Sequence, residues 1–250
     1  VDVLLTSSAA RFISPLTFGS LTHRPVFTDL FDPQSELSMD HVAVAEAADI
    51  VVVAPATAHT IAKIAGGLAD DVLTTTVLAT RAPVLLAPAM DANMYQSAAT
   101  QENVAKLESR GCVIAGPAEG RLASGFIGKG RMLEPQELIG HIREVLGRNG
   151  DLAGRVIVVS AGGTREPIDP VRIIANRSSG KMGYAVAEAA RDRGAATTVV
   201  SAATGLPDPV GVHLVRAETA LEMREAVLTA CREADALVMA GAVADWRPAS

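Results

Sequence analysis

The residues of this chain that could do chemistry lie in one long polar stretch, which opens with Gly162-Gly163-Thr164 and closes with Asn176–Gly183. Glycine lets backbone approach a ligand closely, and hydroxyls and cations suit a phosphate group. The stretch contains neither the G-x-G-x-x-G nor the G-x-x-x-x-G-K-[ST] pattern. It therefore predicts a site for a nucleotide or a phosphorylated acid that differs from both common phosphate loops.

Strand-like apolar runs and helical patterns alternate along the chain and must position this stretch. The strands are expected at Val3–Leu5, Ile50–Ala54, Val84–Ala87, Val113–Ala115, Val156–Ser160, Thr198–Ser201, Val212–Val215 and Leu237–Ala240. The helices are expected at Ile61–Ala79, Thr100–Arg110, Pro135–Gly147, Met182–Arg193 and Ala220–Glu233. The alternation predicts an α/β fold with a mainly parallel, doubly wound sheet, in which ligands sit beyond the carboxyl ends of the strands.

Composition limits the class of protein. The chain has 250 residues, 49% of them apolar and only 3% aromatic, which favours helices packed on a parallel sheet. A net charge of −6 argues against a general nucleic-acid binder. Cys112 and Cys231 are too few for a disulfide framework, so we expect a reducing cytoplasm. No apolar run approaches the roughly 18 residues of a membrane span.

A short polar stretch, Arg148–Asp151, follows a helical pattern and precedes a strand. We expect a domain boundary there, with one domain at residues 1–150 and a second at 151–250. The chain opens inside a strand without methionine and stops at Ala249-Ser250, directly after a strand-like run and its loop. We therefore expect a piece of a longer protein that lacks residues at both ends.

Three further motifs directly follow predicted strands: Pro55-Ala56-Thr57, Pro88-Ala89-Met90 and Gly241–Asp245. Small residues and hydroxyls after a strand would let a planar cofactor or a phosphate approach the backbone. The local pattern of the first motif alone favours a simpler interpretation, with Thr57 as a helix N-cap.

Residues 1–145 resemble the flavin-containing cysteine decarboxylases, and most closely the decarboxylase half of the bifunctional phosphopantothenoylcysteine decarboxylase/phosphopantothenate–cysteine ligases. The resemblance rests on Asp40-His41, the Pro55–Thr57 motif, Pro88–Met94 and the glycine-rich Gly120–Met132, in matching order and spacing. It implies a flavodoxin-like FMN domain that assembles as trimers, with the flavin at subunit contacts.

The resemblance also implies roles for single residues. His41 matches the active-site histidine, and Asp91 stands where the substrate motif often has asparagine. Ser124 occupies the flap position at which many members carry a proton-donating cysteine. The residues implied to bind substrate are Asp91, Met94, Ala123 and Gly125. Those implied to bind FMN are Thr6, Ala9, Pro55, Ala56 and Thr57.

The implied reaction oxidises the substrate's cysteinyl side chain to a thioaldehyde, which lets CO₂ leave, and the resulting enethiol is then protonated and reduced. Serine is a far poorer acid than cysteine, so Ser124 is expected to slow the protonation. Asp91 would repel the substrate's carboxylate unless it is protonated. It also fits the N-cap of a helix at Ala92–Tyr95, and both roles are compatible.

Residues 154–250 resemble the amino-terminal part of the ligase half, through Ser160–Arg172, Asn176–Gly183 and Gly241–Pro248. The resemblance implies that 4′-phosphopantothenate is activated by CTP with Mg²⁺, that cysteine displaces CMP, and that this domain forms dimers. Asn176 would handle the acyl-cytidylate, where a side-chain amide suits an oxyanion. The implied CTP segment is Met239, Ala240, Gly241 and Asp245, and the implied phosphate partners include Arg172 and Lys181.

Several alternatives stay open at this point. Lys181 fits a solvated lysine at a helix start, and Asp245 fits a turn residue. The protein could keep ligase activity with an impaired decarboxylase, or it could be a non-catalytic FMN-binding regulator, because of Ser124. A stand-alone decarboxylase predicts no Asn176–Gly183 motif, and a nicotinamide oxidoreductase predicts a dinucleotide fingerprint that the chain lacks. Metal ligands are not predicted.

Overall fold

The computed structural model describes residues 1–30, 40–203 and 205–248. The chain forms two compact units, unit 1 at Val1–Leu138 and unit 2 at Ile139–Ser250. The division lies inside the helix Pro135–Gly147, shortly before the polar stretch 148–151. Each unit has its own sheets and its own apolar core.

Unit 1 is built on parallel strands. Its strands are β1 Val3–Leu4, β2 Val26–Phe27, β3 Val51–Ala56, β4 Val84–Pro88, β5 Val113–Ile114, β6 Ala118–Arg121 and β7 Ile127–Arg131. The first two pair in parallel, β3, β4 and β5 form a parallel sheet in that order, and β6 and β7 form an antiparallel hairpin. The central strand β4 is buried along Leu85–Pro88, as in a parallel sheet covered on both faces.

The helices of the first part of the chain are α1 Pro15–Thr22, α2 Asp40–Ala47, α3 Ala58–Gly66, α4 Val72–Ala79, α5 Ala92–Gln96, α6 Ala98–Ser109 and α7 Pro135–Gly147. Ile61, Leu86 and Leu107 are buried in one cluster that joins the sheet to α3 and α6. The predicted bounds of α7 are confirmed at both ends.

The prediction of one continuous helix over Ile61–Ala79 is wrong. Gly67 ends α3 in the left-handed region, at φ +70°, and Asp71 begins α4 by accepting a hydrogen bond from the Thr74 amide at 2.8 Å. A left-handed glycine and an aspartate N-cap are strong stop and start signals, and here they override an apolar pattern that runs through both helices.

Unit 2 is a three-layer α/β/α arrangement. Its elements after α7 are β8 Val156–Ala161, β9 Arg165–Pro167, β10 Ile173–Ala175, α8 Lys181–Arg191, β11 Ala196–Ser201, β12 His213–Arg216, α9 Ala220–Ala230 and β13 Ala236–Met239. Four parallel strands form one sheet in the order β12-β11-β8-β13. Val158 packs with Met223 of α9, whereas its neighbour Val159 packs with Tyr184 of α8. Successive residues of β8 thus face opposite layers.

The expected strands and helices include none in the polar stretch between β8 and α8, and this omission is partly wrong. The stretch contains the antiparallel hairpin β9–β10, in which Arg165 pairs with Ala175. Glu166 is buried in this hairpin and accepts a hydrogen bond from the Ala220 amide at the start of α9, at 2.8 Å. That long-range bond fixes the hairpin, and no local pattern signals it. Every helix within the described ranges is too short or too polar to cross a membrane.

Candidate functional site

The first candidate site lies at the carboxyl ends of β3 and β4. The Ala89 amide donates to the Ala56 carbonyl at 3.0 Å, which joins the two strand ends. Thr57 caps α3 by accepting a hydrogen bond from the Thr60 amide at 3.4 Å, so its predicted role as N-cap is confirmed. Pro55 and Thr57 are exposed, whereas Ala56 is fully buried beneath them.

The turn after β1 holds the other predicted flavin residues. The Thr6 hydroxyl oxygen accepts a hydrogen bond from the Ala9 amide at 3.1 Å. Because Thr6 accepts there, its own proton is left to donate elsewhere. The hydroxyls of Thr57 and Thr60 lie 3.2 Å apart, so this pair likewise keeps one proton for a ligand. Small residues and available hydroxyl donors at strand ends fit the polar edge and phosphate of an FMN group.

Asp91 caps α5 as predicted and also contacts the flap. Its Oδ1 accepts from the Asn93 amide at 3.0 Å, and its Oδ2 accepts from the Ser124 hydroxyl at 2.7 Å. The Ser124 hydrogen bond, followed by the Asn93 amide, holds the pKa of Asp91 below its ordinary value. The carboxylate is therefore stabilised in its ionised form. Protonation of Asp91, which would relieve its repulsion of a substrate carboxylate, is correspondingly disfavoured.

The flap is the β6–β7 hairpin together with its tip, Leu122–Phe126. The Met90 amide donates to the Gly130 carbonyl at 2.9 Å, and Lys129 lies over the ring of Tyr95 at 5.8 Å from its centroid. A Cβ on Gly128 would lie 2.9 Å from that of Ala92, so only glycine lets the hairpin come this close to α5.

The flap tip brings the predicted substrate residues together in part. Gly125 adopts a left-handed φ of +87° at the turn, and Ala123, Ser124 and Gly125 are exposed. Ser124 contacts the α5 N-cap Asp91, and Met94 lies in that helix with an exposed side chain. The remaining predicted catalytic residue of this half, His41, lies in the first turn of α2, and its side chain falls outside the described part of the structure.

The second candidate site lies beyond the carboxyl ends of β8 and β13. The Asn176 side-chain amide donates to the Val243 carbonyl at 3.0 Å and to the Ala242 carbonyl at 3.4 Å. The Ala242 amide in turn donates to the Gly162 carbonyl at 2.7 Å. The structure thus joins the Gly162–Thr164 turn, Asn176 and the Gly241–Asp245 segment, which are far apart in sequence.

The two predicted phosphate partners lie in the β9–β10 turn and at the start of α8, whose N-cap Gly180 approaches Gly162. Arg172 donates to Asp169 at 2.6 Å and forms an exposed ion pair within the β9–β10 turn. Lys181 is exposed at the first residue of α8, as in the alternative interpretation of a helix-start lysine. Met239 is exposed at the end of β13, and Asp245 lies in an exposed bend.

Sequence reasoning missed two hydroxyl groups that hold the second site. Ser160 Oγ accepts from the Gly241 amide at 2.9 Å, and Thr164 Oγ1 accepts from the Ala244 amide at 2.8 Å. Both residues are fully buried. For Ser160 the available signal was a hydroxyl at the end of an otherwise apolar buried strand, since a buried hydroxyl needs a hydrogen-bond partner. Thr164 lies beyond that strand and has no such signal.

The fold and the first site define a class of protein: a flavodoxin-like α/β flavoprotein with a hairpin flap. Residues 1–147 match the Flavoprotein family, and residues 152–250 match the DNA/pantothenate metabolism flavoprotein C-terminal domain. The chain therefore belongs to the Flavoprotein family.

Bacterial relatives match nearly the whole chain. The coenzyme A biosynthesis bifunctional protein CoaBC of Vibrio parahaemolyticus is 49% identical over 248 residues, covering 99% of this chain and 62% of that protein. The same protein of Mycobacterium tuberculosis is 50% identical over 254 residues, covering 100% and 60%. That of Bacillus subtilis is 44% identical over 253 residues, covering 99% and 62%. The chain thus spans 60–62% of the length of these curated relatives.

Solved structures confirm the fold class. A cysteine-to-serine mutant of PPC decarboxylase, complexed with pantothenoylaminoethenethiol, matches with a TM-score of 0.50 and 31% identity, over 57% of this chain and 81% of that one. The FMN binding protein AtHal3 matches with a TM-score of 0.50 and 30% identity, over 57% and 80%.

Proposed function

We propose that unit 1 is an FMN-dependent decarboxylase that converts phosphopantothenoylcysteine in coenzyme A biosynthesis. The observation that carries the proposal is the hydrogen bond from Ser124 to Asp91, because it joins the flap tip to the N-cap of α5, which follows the end of β4. The family match and the PPC decarboxylase relative support the cofactor and the substrate class.

The residues of unit 1 bind and shield the reactants in this proposal. Thr6, Ala9 and the Pro55–Thr57 segment would hold FMN, whose chemistry when bound is redox exchange with the substrate's cysteinyl side chain. The flap residues Ala123 and Gly125, with Met94 opposite, exclude water from the substrate. His41 is retained as a proposed active-site residue from the family register.

Ser124 occupies the flap position at which many members of the family carry a proton-donating cysteine, so its hydroxyl proton would take the place of the thiol proton. The hydroxyl proton is already donated to the Asp91 carboxylate, and an alcohol is a weak acid, so delivery to an enethiol should be slow. This observation favours a variant of the proposed function in which unit 1 releases CO₂ but protonates the resulting enethiol slowly. If the substrate is not converted at all, the protein would bind FMN without turnover and act as a non-catalytic regulator.

We also propose that unit 2 contributes to the CTP-dependent joining of 4′-phosphopantothenate to cysteine. The observation in its favour is the convergence of Asn176 on the Gly241–Asp245 segment, together with the match to the C-terminal family. In this proposal Met239, Ala240, Gly241 and Asp245 bind CTP, and Arg172 and Lys181 bind phosphate. Mg²⁺ would arrive with CTP, since the described residues contain no cluster of metal-binding side chains.

The proposed assembly and location follow the same family expectation. Trimers of unit 1 and dimers of unit 2 would act in the cytoplasm on small-molecule substrates. The exposed Phe12, Leu16 and Leu21 are apolar groups that a subunit contact would cover.

FMN binding and product identity test the first proposal. Thr57→Val removes the hydroxyl and Thr57→Ser keeps it, so flavin fluorescence titration should show weaker binding only for the valine variant. Mass spectrometry of the reaction with phosphopantothenoylcysteine should show the decarboxylated product, or the enethiol if protonation is impaired. Bound FMN with unchanged substrate would favour the regulator, and failure to bind FMN would overturn the proposal.

CTP-dependent pyrophosphate release by the full-length protein tests the ligase proposal separately.

A further inference from the structure

The segment Gly241–Ala244 has little regular structure of its own, yet most of its backbone polar groups have partners: the amides of Gly241, Ala242 and Ala244 and the carbonyls of Ala242 and Val243. The Ala242 amide donates to the Gly162 carbonyl, and the Ala242 carbonyl accepts from the Thr164 amide at 3.2 Å. The only ladder contact of this segment in the described part of the chain is the isolated parallel bridge between Gly163 and Ala242. The segment is therefore positioned chiefly by its hydrogen bonds to neighbouring pieces of chain.

Thr164 holds the segment at two points. Its amide donates to the Ala242 carbonyl, and its hydroxyl oxygen accepts from the Ala244 amide at 2.8 Å. Because Thr164 bonds to the two residues that flank Val243, it restricts the backbone between them. The threonine side chain is fully buried, so water cannot replace its oxygen as the acceptor.

The same segment also orients Asn176. The side-chain amide of Asn176 donates to the Val243 carbonyl, which lies between the two points that Thr164 holds. Gly163 lets the turn approach, because a Cβ there would lie 2.7 Å from the Asn176 carbonyl oxygen. A shift of Ala242–Ala244 would therefore move both the proposed nucleotide segment and the Asn176 amide.

We propose that Thr164 is a positioning residue that fixes the nucleotide segment and the Asn176 amide as one unit. This inference rests on the proposed ligase role of unit 2. Thr164 touches no reactant in this assignment and acts through the backbone of Ala242–Ala244. The hydroxyl oxygen of Thr164, and not its methyl group, holds the segment in place.

Two substitutions separate the oxygen from the shape of the side chain. Thr164→Val keeps the volume and removes the acceptor, whereas Thr164→Ser keeps the acceptor. Thr197→Val is the matched control, because Thr197 is a buried threonine of the same unit whose hydroxyl donates to the Ala195 carbonyl at 3.3 Å, its one hydrogen bond within the described part of the chain. Thr164→Ala removes the same acceptor and replaces Thr164→Val if circular dichroism shows that the valine variant is unfolded.

The measurements are hydrogen exchange of the peptide 239–246, followed by mass spectrometry, and equilibrium binding of CTP with Mg²⁺ to the whole chain. We expect Thr164→Val to speed exchange in that peptide and weaken CTP binding, each about five- to tenfold, as for the loss of one hydrogen bond. Thr164→Ser and Thr197→Val should match the parent chain. Unchanged exchange or unchanged CTP binding in Thr164→Val overturns the positioning role and leaves the ligase proposal standing. No CTP binding by the parent chain overturns both.

Discussion

Replacing Ser124 with cysteine should accelerate the final protonation of the proposed decarboxylase reaction. The hydroxyl oxygen of Ser124 lies 2.7 Å from Asp91, so a thiol at this position would sit beside an ionised carboxylate. That carboxylate opposes a second negative charge and raises the pKa of the thiol above its ordinary value of about 8.5, which keeps it protonated at neutral pH. The thiol would still be a much better acid than the alcohol.

The expected magnitude follows from general acid catalysis, in which a well-placed acid contributes about 10²- to 10⁴-fold. Ser124→Cys should therefore raise the single-turnover rate of product formation by a factor in that range, with the rate of CO₂ release much less affected. Quenched-flow mass spectrometry separates the two, because the enethiol and the final product differ in mass.

One further variant and one comparison with the parent chain define the result. Ser124→Ala should be no faster than the parent chain, since it lacks both proton and hydrogen bond. If Ser124→Cys and the parent form product at the same rate, with FMN bound in both, Ser124 does not hold the proton that matters. The reasoning from the flap geometry would then be refuted.

Three other predictions concern stability and the flap. The pKa of Asp91 is lowered in the folded chain, so its bond to Ser124 stabilises the flap at pH above the unfolded pKa and is lost as the pH falls through the folded pKa. Pepsin, which is active at acidic pH, should therefore cleave the flap faster as the pH falls through this range, and Asp91→Ala should remove this additional pH dependence. Gly67→Ala should destabilise unit 1 by about 1 kcal/mol, because Gly67 has φ +70°, whereas Gly66→Ala should be neutral or stabilising; equal effects in thermal unfolding would contradict the assigned helix end. Lys63→Met should destabilise unit 1 by about 1–3 kcal/mol, because a largely buried lysine bridges two aspartates, and urea unfolding that is unchanged would show the ion pairs to be irrelevant.

Local patterns in the sequence were sufficient for the framework of both units. The apolar run at β8 and the helical pattern at α7 identify their elements because burial imposes a period on the side chains. The caps at Thr57 and Asp91 were also predictable, since an N-cap needs only a polar side chain and the next few amides.

Contacts between distant residues were not predictable in the same way. Ser124 and Asp91 were each identified, but their hydrogen bond depends on how the flap closes over α5. Thr164 and its partner Ala244 are separated by 80 positions, and nothing local marks the acceptor. The break at Gly67 is a different case, because the glycine that ends α3 is a local signal, but the apolar pattern continues through it.

The release of CO₂ per bound FMN shows whether unit 1 is an FMN-dependent decarboxylase. The chain reconstituted with FMN, and the same chain without FMN, would receive phosphopantothenoylcysteine labelled with ¹³C in the cysteinyl carboxylate. We expect labelled CO₂ only from the flavin-loaded chain, in an amount at least equal to the bound FMN, whether or not the enethiol is then protonated. Bound FMN without labelled CO₂, or equal release without FMN, would contradict the assignment of unit 1 as an FMN-dependent decarboxylase.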